Sequence, residues 1–150
     1  MKSFRKKWML LALLSMSISL YASHVSVEQA RLVADGFLQS ETALHNGSRK
    51  APRKTRKAPR MLLPEQQFYI FETDGGGFVI IAADDCAHPV LAYGKKGFGG
   101  DEALNPDKMP LNLRNWLEGY NYSIRSAVAD GYTAPASVQA EWQALAEGKA

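Results

Sequence analysis

Asp84, Asp85, Cys86 and His88 crowd one short stretch and carry the strongest hint of reactive chemistry in the chain. A thiol near an imidazole is what a nucleophilic cysteine needs. The reactive form, however, is the thiolate, and two adjacent carboxylates raise a thiol pKa rather than lower it. Cys86 and His88 stand two residues apart. On an extended chain their side chains point the same way but lie too far apart for a direct hydrogen bond without a tight turn. The same four residues could crowd a metal, but a structural zinc site draws four ligands from two segments, and the sequence has no second Cys/His cluster. A solvated turn is the expectation. His24 and His45 lie near a terminus and at a helix end, with no partner in sequence. Gly75–Gly77 joins two apolar runs and lacks the Lys-Ser/Thr that follows a phosphate loop. No catalytic set, metal set or cofactor is expected, and the chain reads as a binding module rather than an enzyme.

The elements that would position such a module centre on 68–93. Phe68-Tyr69-Ile70-Phe71 and Phe78-Val79-Ile80-Ile81-Ala82-Ala83 flank Asp74-Gly75-Gly76-Gly77, a hairpin signal because glycine reaches the positive φ of a tight turn. No polar residue interrupts 78–83, so both faces of that strand are expected to be covered. Pro89 to Gly94 begins and ends a third strand. Ser26-Val27-Glu28-Gln29 is a capping box that starts a helix. Ala30, Val33, Ala34, Phe37 and Leu38 form its apolar stripe, and the helix is expected to fade between Ser40 and Leu44. A second helix is expected over Leu111–Ala129, with Leu113, Trp116, Leu117, Tyr120, Ile124 and Ala127 or Val128 on its stripe. Pro110 suits its first turn, Asn112 can cap it, and Gly131 stops it. The loop from Gly94 to Asp107 is polar and glycine-rich, with Phe98 expected to pin it to the body. Thr133-Ala134-Pro135 reads as a linker before a short third helix, Ser137–Ala146, with Val138, Trp142 and Leu145 on one face. The fold class is α+β: a small antiparallel sheet, a hairpin plus a third strand, packed against an N-terminal helix and a longer helix after the sheet.

At 150 residues the chain allows one domain. Its net charge of +3 is misleading. Four basic residues (Lys2, Arg5, Lys6, Lys7) precede an apolar run, Trp8 to Leu20, and seven more crowd the segment 48–60. The rest of the chain carries 7 basic and 15 acidic residues, a net of −8, so the basic pI gives little support for nucleic-acid binding. Met1–Ala22 reads as a secretory signal peptide cleaved after Ala22, its apolar run being short for the about 20 residues of a membrane span. No cysteine sits at the cleavage site to take a lipid, so no stable membrane anchor is expected after cleavage. The protein is expected to be secreted, periplasmic or extracellular, and its single cysteine leaves no internal disulfide.

The segment 48–60 repeats itself: Arg49-Lys50-Ala51-Pro52-Arg53, then Arg56-Lys57-Ala58-Pro59-Arg60. So many like charges with two prolines are not expected to form a packed element. A solvated loop, a processing site for a trypsin-like protease at Arg53 or Arg60, and a polyanion-binding arm are the three readings. The last lacks aromatic residues to stack on bases.

Phe68 to Tyr122 resembles the propeptide of streptopain-like cysteine proteases and the stand-alone Spi inhibitors that share its fold. The matching pieces are Tyr69-Ile70-Phe71, Gly76 to Asp85, Pro89-Val90-Leu91-Ala92-Tyr93-Gly94, and Asn112-Leu113-Arg114-Asn115-Trp116-Leu117-Glu118-Gly119-Tyr120. The first helix, with Ala30 and Phe37, is similar in kind to the opening helix of that propeptide. The resemblance implies a domain that packs on a papain-like catalytic domain, keeps it inactive and assists its folding, or inhibits it in trans. It also implies that the segment before the long second helix enters the active-site cleft, here Pro110, Leu111, Asn112 and Leu113. The Asn112 amide can donate and accept, which suits an oxyanion-hole or S1 contact. A plain helix cap is the other role open to it.

The expected organisation is therefore a signal peptide over 1–22, an inhibitor-like domain over 23–132 containing the basic loop 48–60, and a linker with a short helix over 133–150. Cys86 departs from the resemblance, standing at a position usually polar or charged. Lys149 falls about where a propeptide would join its enzyme and is a third processing candidate. The expected partner is a streptopain-like cysteine protease, and no protease domain follows Ala150, so a free inhibitor or a truncated zymogen product is expected. A secreted surface-interaction or adhesion module reusing the propeptide fold is the alternative.

Overall fold

Thr73 closes the hairpin. In the computed structural model, which describes residues 23–46, 54–56, 58–74, 76–96 and 107–149, the Thr73 N–H donates to the Gly77 carbonyl at 2.9 Å and the Gly76 N–H to the Thr73 carbonyl at 3.0 Å. The Thr73 hydroxyl accepts from the Gly77 N–H at 3.1 Å, and Gly76 takes φ +76°, a conformation glycine adopts without strain. The turn joins β1 (Phe68–Glu72) to β2 (Phe78–Ala82), and β3 (Val90–Gly94) completes an antiparallel sheet in the order β1-β2-β3. The register pairs Tyr69 with Ile81 and Ile70 with Ile80. It slips between Ile80 and Ile81 on the β3 side, where Ile80 faces Ala92 and Ile81 faces Val90.

Three helices complete the described fold: α1 (Val27–Asn46), α2 (Leu111–Ala129) and α3 (Ala136–Ala146). Alternation along the strands sends Tyr69, Phe71, Val79 and Ile81 to one face, where Ala30, Val33, Ala34 and Leu38 of α1 and Leu145 of α3 meet them. Phe68, Ile70 and Ile80 point to the other face and meet Leu117 of α2 with Met109 and Leu62. The fold is thus α+β, with helices on both faces of the sheet, and the uninterrupted apolar run of β2 is accounted for by cover on both sides. Each fully buried Phe or Ile contributes about 1.5–3 kcal/mol of burial.

The capping box forms as expected. The Ser26 N–H donates to Gln29 Oε1 at 3.0 Å, and the Gln29 N–H donates to Ser26 Oγ at 3.2 Å. The helix does not fade at Ser40. It continues to Asn46, because Ser40 and Thr42 turn their hydroxyls back onto the Phe37 and Leu38 carbonyls at 2.8 and 2.7 Å and stay within the helix rather than ending it. The bounds of α2 are those expected, but its stripe is narrower. Leu117 and Ile124 are buried, while Trp116 and Val128 are exposed. Gly131 ends it at φ +66° in a Schellman pattern, with the Tyr132 N–H on the Ala127 carbonyl and the Gly131 N–H on that of Val128.

Two expectations are corrected here. The described part of the basic segment, 54–56 and 58–60, is not merely a solvated loop; residues 48–53 and 57 lie outside the described residues. Residues 54–56 and 58–60 lie along the outer edge of β1, with bridges Thr55↔Thr73 and Arg60↔Ile70 and N–H donation from Arg56 to the Glu72 carbonyl and from Arg60 to the Ile70 carbonyl, both at 2.8 Å. Edge pairing uses backbone groups alone, so charged side chains and Pro59 are compatible with it. Glu72 draws the strap in, with Arg60 Nε at 2.7 Å and Arg56 at 3.3 Å. The His24 imidazole also has a partner, its Nε2 lying 3.4 Å from the Tyr69 hydroxyl. Residues 23–25 pair beside 83–85 through the His24↔Asp84 bridge, and the Ser23 N–H and hydroxyl donate to the two Asp85 carboxylate oxygens at 2.7 and 3.0 Å.

Helix α3 docks on α1. Gly36 faces the Leu145 carbonyl so closely that a Cβ there would lie 3.0 Å from the Leu145 carbonyl carbon and nearer still to its oxygen. The Trp142 indole N–H donates to the Ala87 carbonyl at 2.9 Å. Residues 1–22, Phe98, Arg53, most of the loop after Gly94 and the His45 side chain lie outside the described residues. No helix among those described is long and apolar enough to cross a membrane.

Candidate functional site

Helix α2 begins on an exposed ledge held at both ends. Met109 is buried against Leu62, Phe68, Ile70, Ile80 and Leu117, and Leu113 packs against the same cluster. Between these anchors Pro110, Leu111 and Asn112 face solvent, with Leu111 71% exposed. Pro110 is the N-cap, at φ −53° and ψ 136°, and its carbonyl accepts from the Arg114 N–H at 3.0 Å. An extended proline followed at once by helix fixes the ledge, because proline holds its own φ.

The N-cap position of α2 makes no side-chain capping hydrogen bond, and the first turn carries no acidic residue. Asn112 is therefore not the helix cap that was one of its two expected roles. Within the helix it follows Pro110 by two positions, too late to serve as the residue whose side chain accepts from the second or third helical N–H. Its amide is left at the surface, able to donate and to accept. The four expected residues, Pro110, Leu111, Asn112 and Leu113, thus divide into three that project and one that anchors.

The Asp84–His88 cluster is divided in a different way. The Cys86 thiol is buried, and its pKa is pushed up to about 12, first by burial, then by its hydrogen bond to Asp84 and the charges of Asp84 and Asp85. The Asp84 carboxylate also accepts from the Cys86 N–H at 3.0 Å. His88 is exposed and pairs through Nδ1 with Glu141 of α3 at 2.7 Å. Thiol and imidazole are each engaged elsewhere, and the thiol is protonated at neutral pH. Among the described residues no three His, Cys, Asp or Glu side chains gather as a metal site would require. Beside Cys86 a groove of about 390 Å³ runs between Leu91 and the Tyr120–Ala127 face of α2.

Of the processing candidates, Arg53 lies outside the described residues. Arg60 is bound through its backbone to β1 and through its side chain to Glu72. Lys149 is exposed beyond α3 and pairs with Glu147 at 2.7 Å. Several positioning residues escaped the sequence reading. Gln66 is buried and organises the turn into β1, accepting from the Leu62 N–H at 2.7 Å and donating to the Phe68 carbonyl at 2.6 Å. Asn121 accepts from the Gln67 N–H at 2.7 Å and ties α2 to the start of β1. A glutamine just ahead of a strand and an asparagine on the inner side of a helix are weak signals, since both residue types are common on surfaces.

Residues 22–124 match the family described as Spi protease inhibitor. A stretch of 72 residues, 47% of the chain, is 38% identical to the thiol protease/hemagglutinin PrtT of Porphyromonas gingivalis, of which it covers 8%. The chain thus spans less than a tenth of that relative's length. No solved structure matches the chain.

Proposed function

The chain belongs to the Spi protease inhibitor family, and from that premise we propose that it binds a streptopain-like cysteine protease and blocks its active-site cleft without catalysis of its own. The observation that carries this reading is the family match across both the sheet and the ledge of α2; the 38% identity to a segment of a thiol protease supports a cysteine protease as the target. Pro110, Leu111 and Asn112 enter the cleft. The Asn112 amide takes the donor and acceptor positions near the oxyanion hole or S1. The backbone from Leu111 onward is helical, so it does not present the extended peptide that a protease cuts. Met109 and Leu113 hold the ledge at a fixed geometry, which limits the ordering cost of binding. The acidic body steers the encounter with a basic partner, and salt weakens that steering. Residues 1–22 act as an export signal, and the inhibitor works outside the cytoplasm.

The test is a titration of the protein against a streptopain-like protease, with papain as control. Stoichiometric inhibition of the first alone is expected, weakened at least tenfold by Asn112→Ala with an unchanged melting temperature. No inhibition at micromolar protein refutes the proposal. A second reading, surface adhesion, draws on the hemagglutinin part of that relative's name, and it predicts retained partner binding in Asn112→Ala without inhibition in either form.

A further inference from the structure

Gly119 stands in the interior of the 19-residue helix α2, where glycine is the least favourable residue after proline. Nothing among the described residues calls for it. The position is exposed, its φ is not positive, and a Cβ built on it would meet no atom within 4 Å. The contrast with Gly36, whose missing Cβ lets α3 approach α1, is direct.

The surface around Gly119 is as unusual as the glycine. On the helical spiral Asn112, Asn115, Gly119, Tyr122 and Ser126 fall on one line, spaced three and four apart. None is charged, and Tyr122 is 74% exposed. The helix has three charged side chains, Arg114, Glu118 and Arg125; all lie off this line, and Arg125 is drawn aside to Glu65 at 2.9 Å. A solvated helix face ordinarily carries charge. Depletion of charge with an exposed tyrosine is instead the composition of an interface core.

We propose that this outer face of α2 lies against the target protease, with Gly119 the point of closest approach between the two backbones. The inference rests on the inhibitor reading and extends it. A stable protease–inhibitor interface takes roughly 20–30 residues a side and about 800 Å² from each partner. The ledge of Pro110 to Leu113 is far too small to supply that alone. The uncharged line starts at Asn112, the ledge residue itself, and runs about 21 Å along the helix to Ser126. It therefore continues the contact made in the cleft across the rim of the protease. Tyr122 supplies the large, rigid contact that such interfaces favour, and the absent side chain at Gly119 leaves room for a protease loop.

The experiment uses Gly119→Arg and Gly119→Ala in the full chain, each measured for melting temperature and for inhibition of a streptopain-like protease. Both substitutions suit an exposed helix position, so both variants are expected to melt at or above the unsubstituted protein. Gly119→Arg is expected to raise the inhibition constant at least 30-fold, and Gly119→Ala several-fold. If the unsubstituted protein inhibits and Gly119→Arg inhibits equally well, the face inference is overturned while the inhibitor reading stands. If the unsubstituted protein does not inhibit at all, the inhibitor reading fails and this inference with it.

Discussion

Replacing Gly36 with alanine tests how the two outer helices are joined. The substitution adds one methyl group on α1 directly beneath the Leu145 carbonyl of α3. The obstructing atoms belong to backbone, so no rotamer change relieves the clash. To restore ordinary contact, α3 must withdraw by on the order of 1 Å. That withdrawal strains the Trp142–Ala87 hydrogen bond and the seat of Leu145, both fixed on the α3 side. Overpacking of this kind costs about 1–3 kcal/mol, and a backbone obstruction belongs at the upper end. Alanine returns about 1 kcal/mol through its better helix propensity. The net expectation is a loss of about 2 kcal/mol, or a melting temperature lowered by roughly 5–10 °C. Full undocking sets the ceiling, because burial of Val138 and Leu145 is worth about 1.5–3 kcal/mol each. The assay is urea and thermal unfolding followed by circular dichroism. Gly119→Ala serves as the internal control: it makes the same chemical change in a helix with open space above it, and the expected shift has the opposite sign. Equal stabilisation by both substitutions would refute the close docking of α3 on α1.

Two further outcomes are expected. Because Cys86 titrates at about 12 rather than its ordinary 9.0, the native state keeps a proton that the unfolded chain releases. The stability this confers is whole below pH 9 and is lost as pH rises from 9 towards about 12. At pH 8 a thiol reagent should label the native protein slowly and the urea-unfolded protein at once; fast native labelling would contradict the burial of the thiol. Glu72→Gln removes the carboxylate that holds Arg56 and Arg60. The pairs are partly exposed, so the stability change should stay within about 1 kcal/mol. Trypsin should nonetheless cut the strap several-fold faster, and an unchanged cleavage rate would mean that the backbone bonds alone hold it.

Local chemistry made much of this fold legible in the sequence. The capping box at Ser26, the glycine turn between β1 and β2 and the bounds of α2 are each written in adjacent residues, and each formed where expected. What was missed depends on groups that leave no side-chain pattern. The strap binds through the backbone N–H groups of Arg56 and Arg60, so the charges and Pro59 argued for a loop while the main chain joined an edge. The reason for Gly36 lies in the Leu145 backbone across the helix interface, which no local pattern in the sequence marks. At the candidate site, the family resemblance implied Pro110–Leu113 as a group. It did not separate the anchor Leu113 from the projecting residues, because that division depends on Met109 and the sheet beneath. It left Asn112 open between two roles, and the structure removes the capping one.

The anchoring of Ser23 to Asp85 and of α3 to α1 has a bearing on survival beside a protease. Degradation usually begins at a loose end, where the chain can be drawn out into a cleft as an extended strand. Here the segment at Ser23 is stitched to the residues after β2 by backbone and side-chain bonds. Helix α3 is keyed into α1 by a glycine-sized gap. Val25 and Leu145 share one core with Tyr69, Phe71, Val79 and Ile81, so drawing either the 23–25 segment or α3 into a cleft requires cooperative opening of that core rather than local fraying. A domain held in this way persists beside a protease for as long as its core does, and its lifetime there is set by its slowest opening.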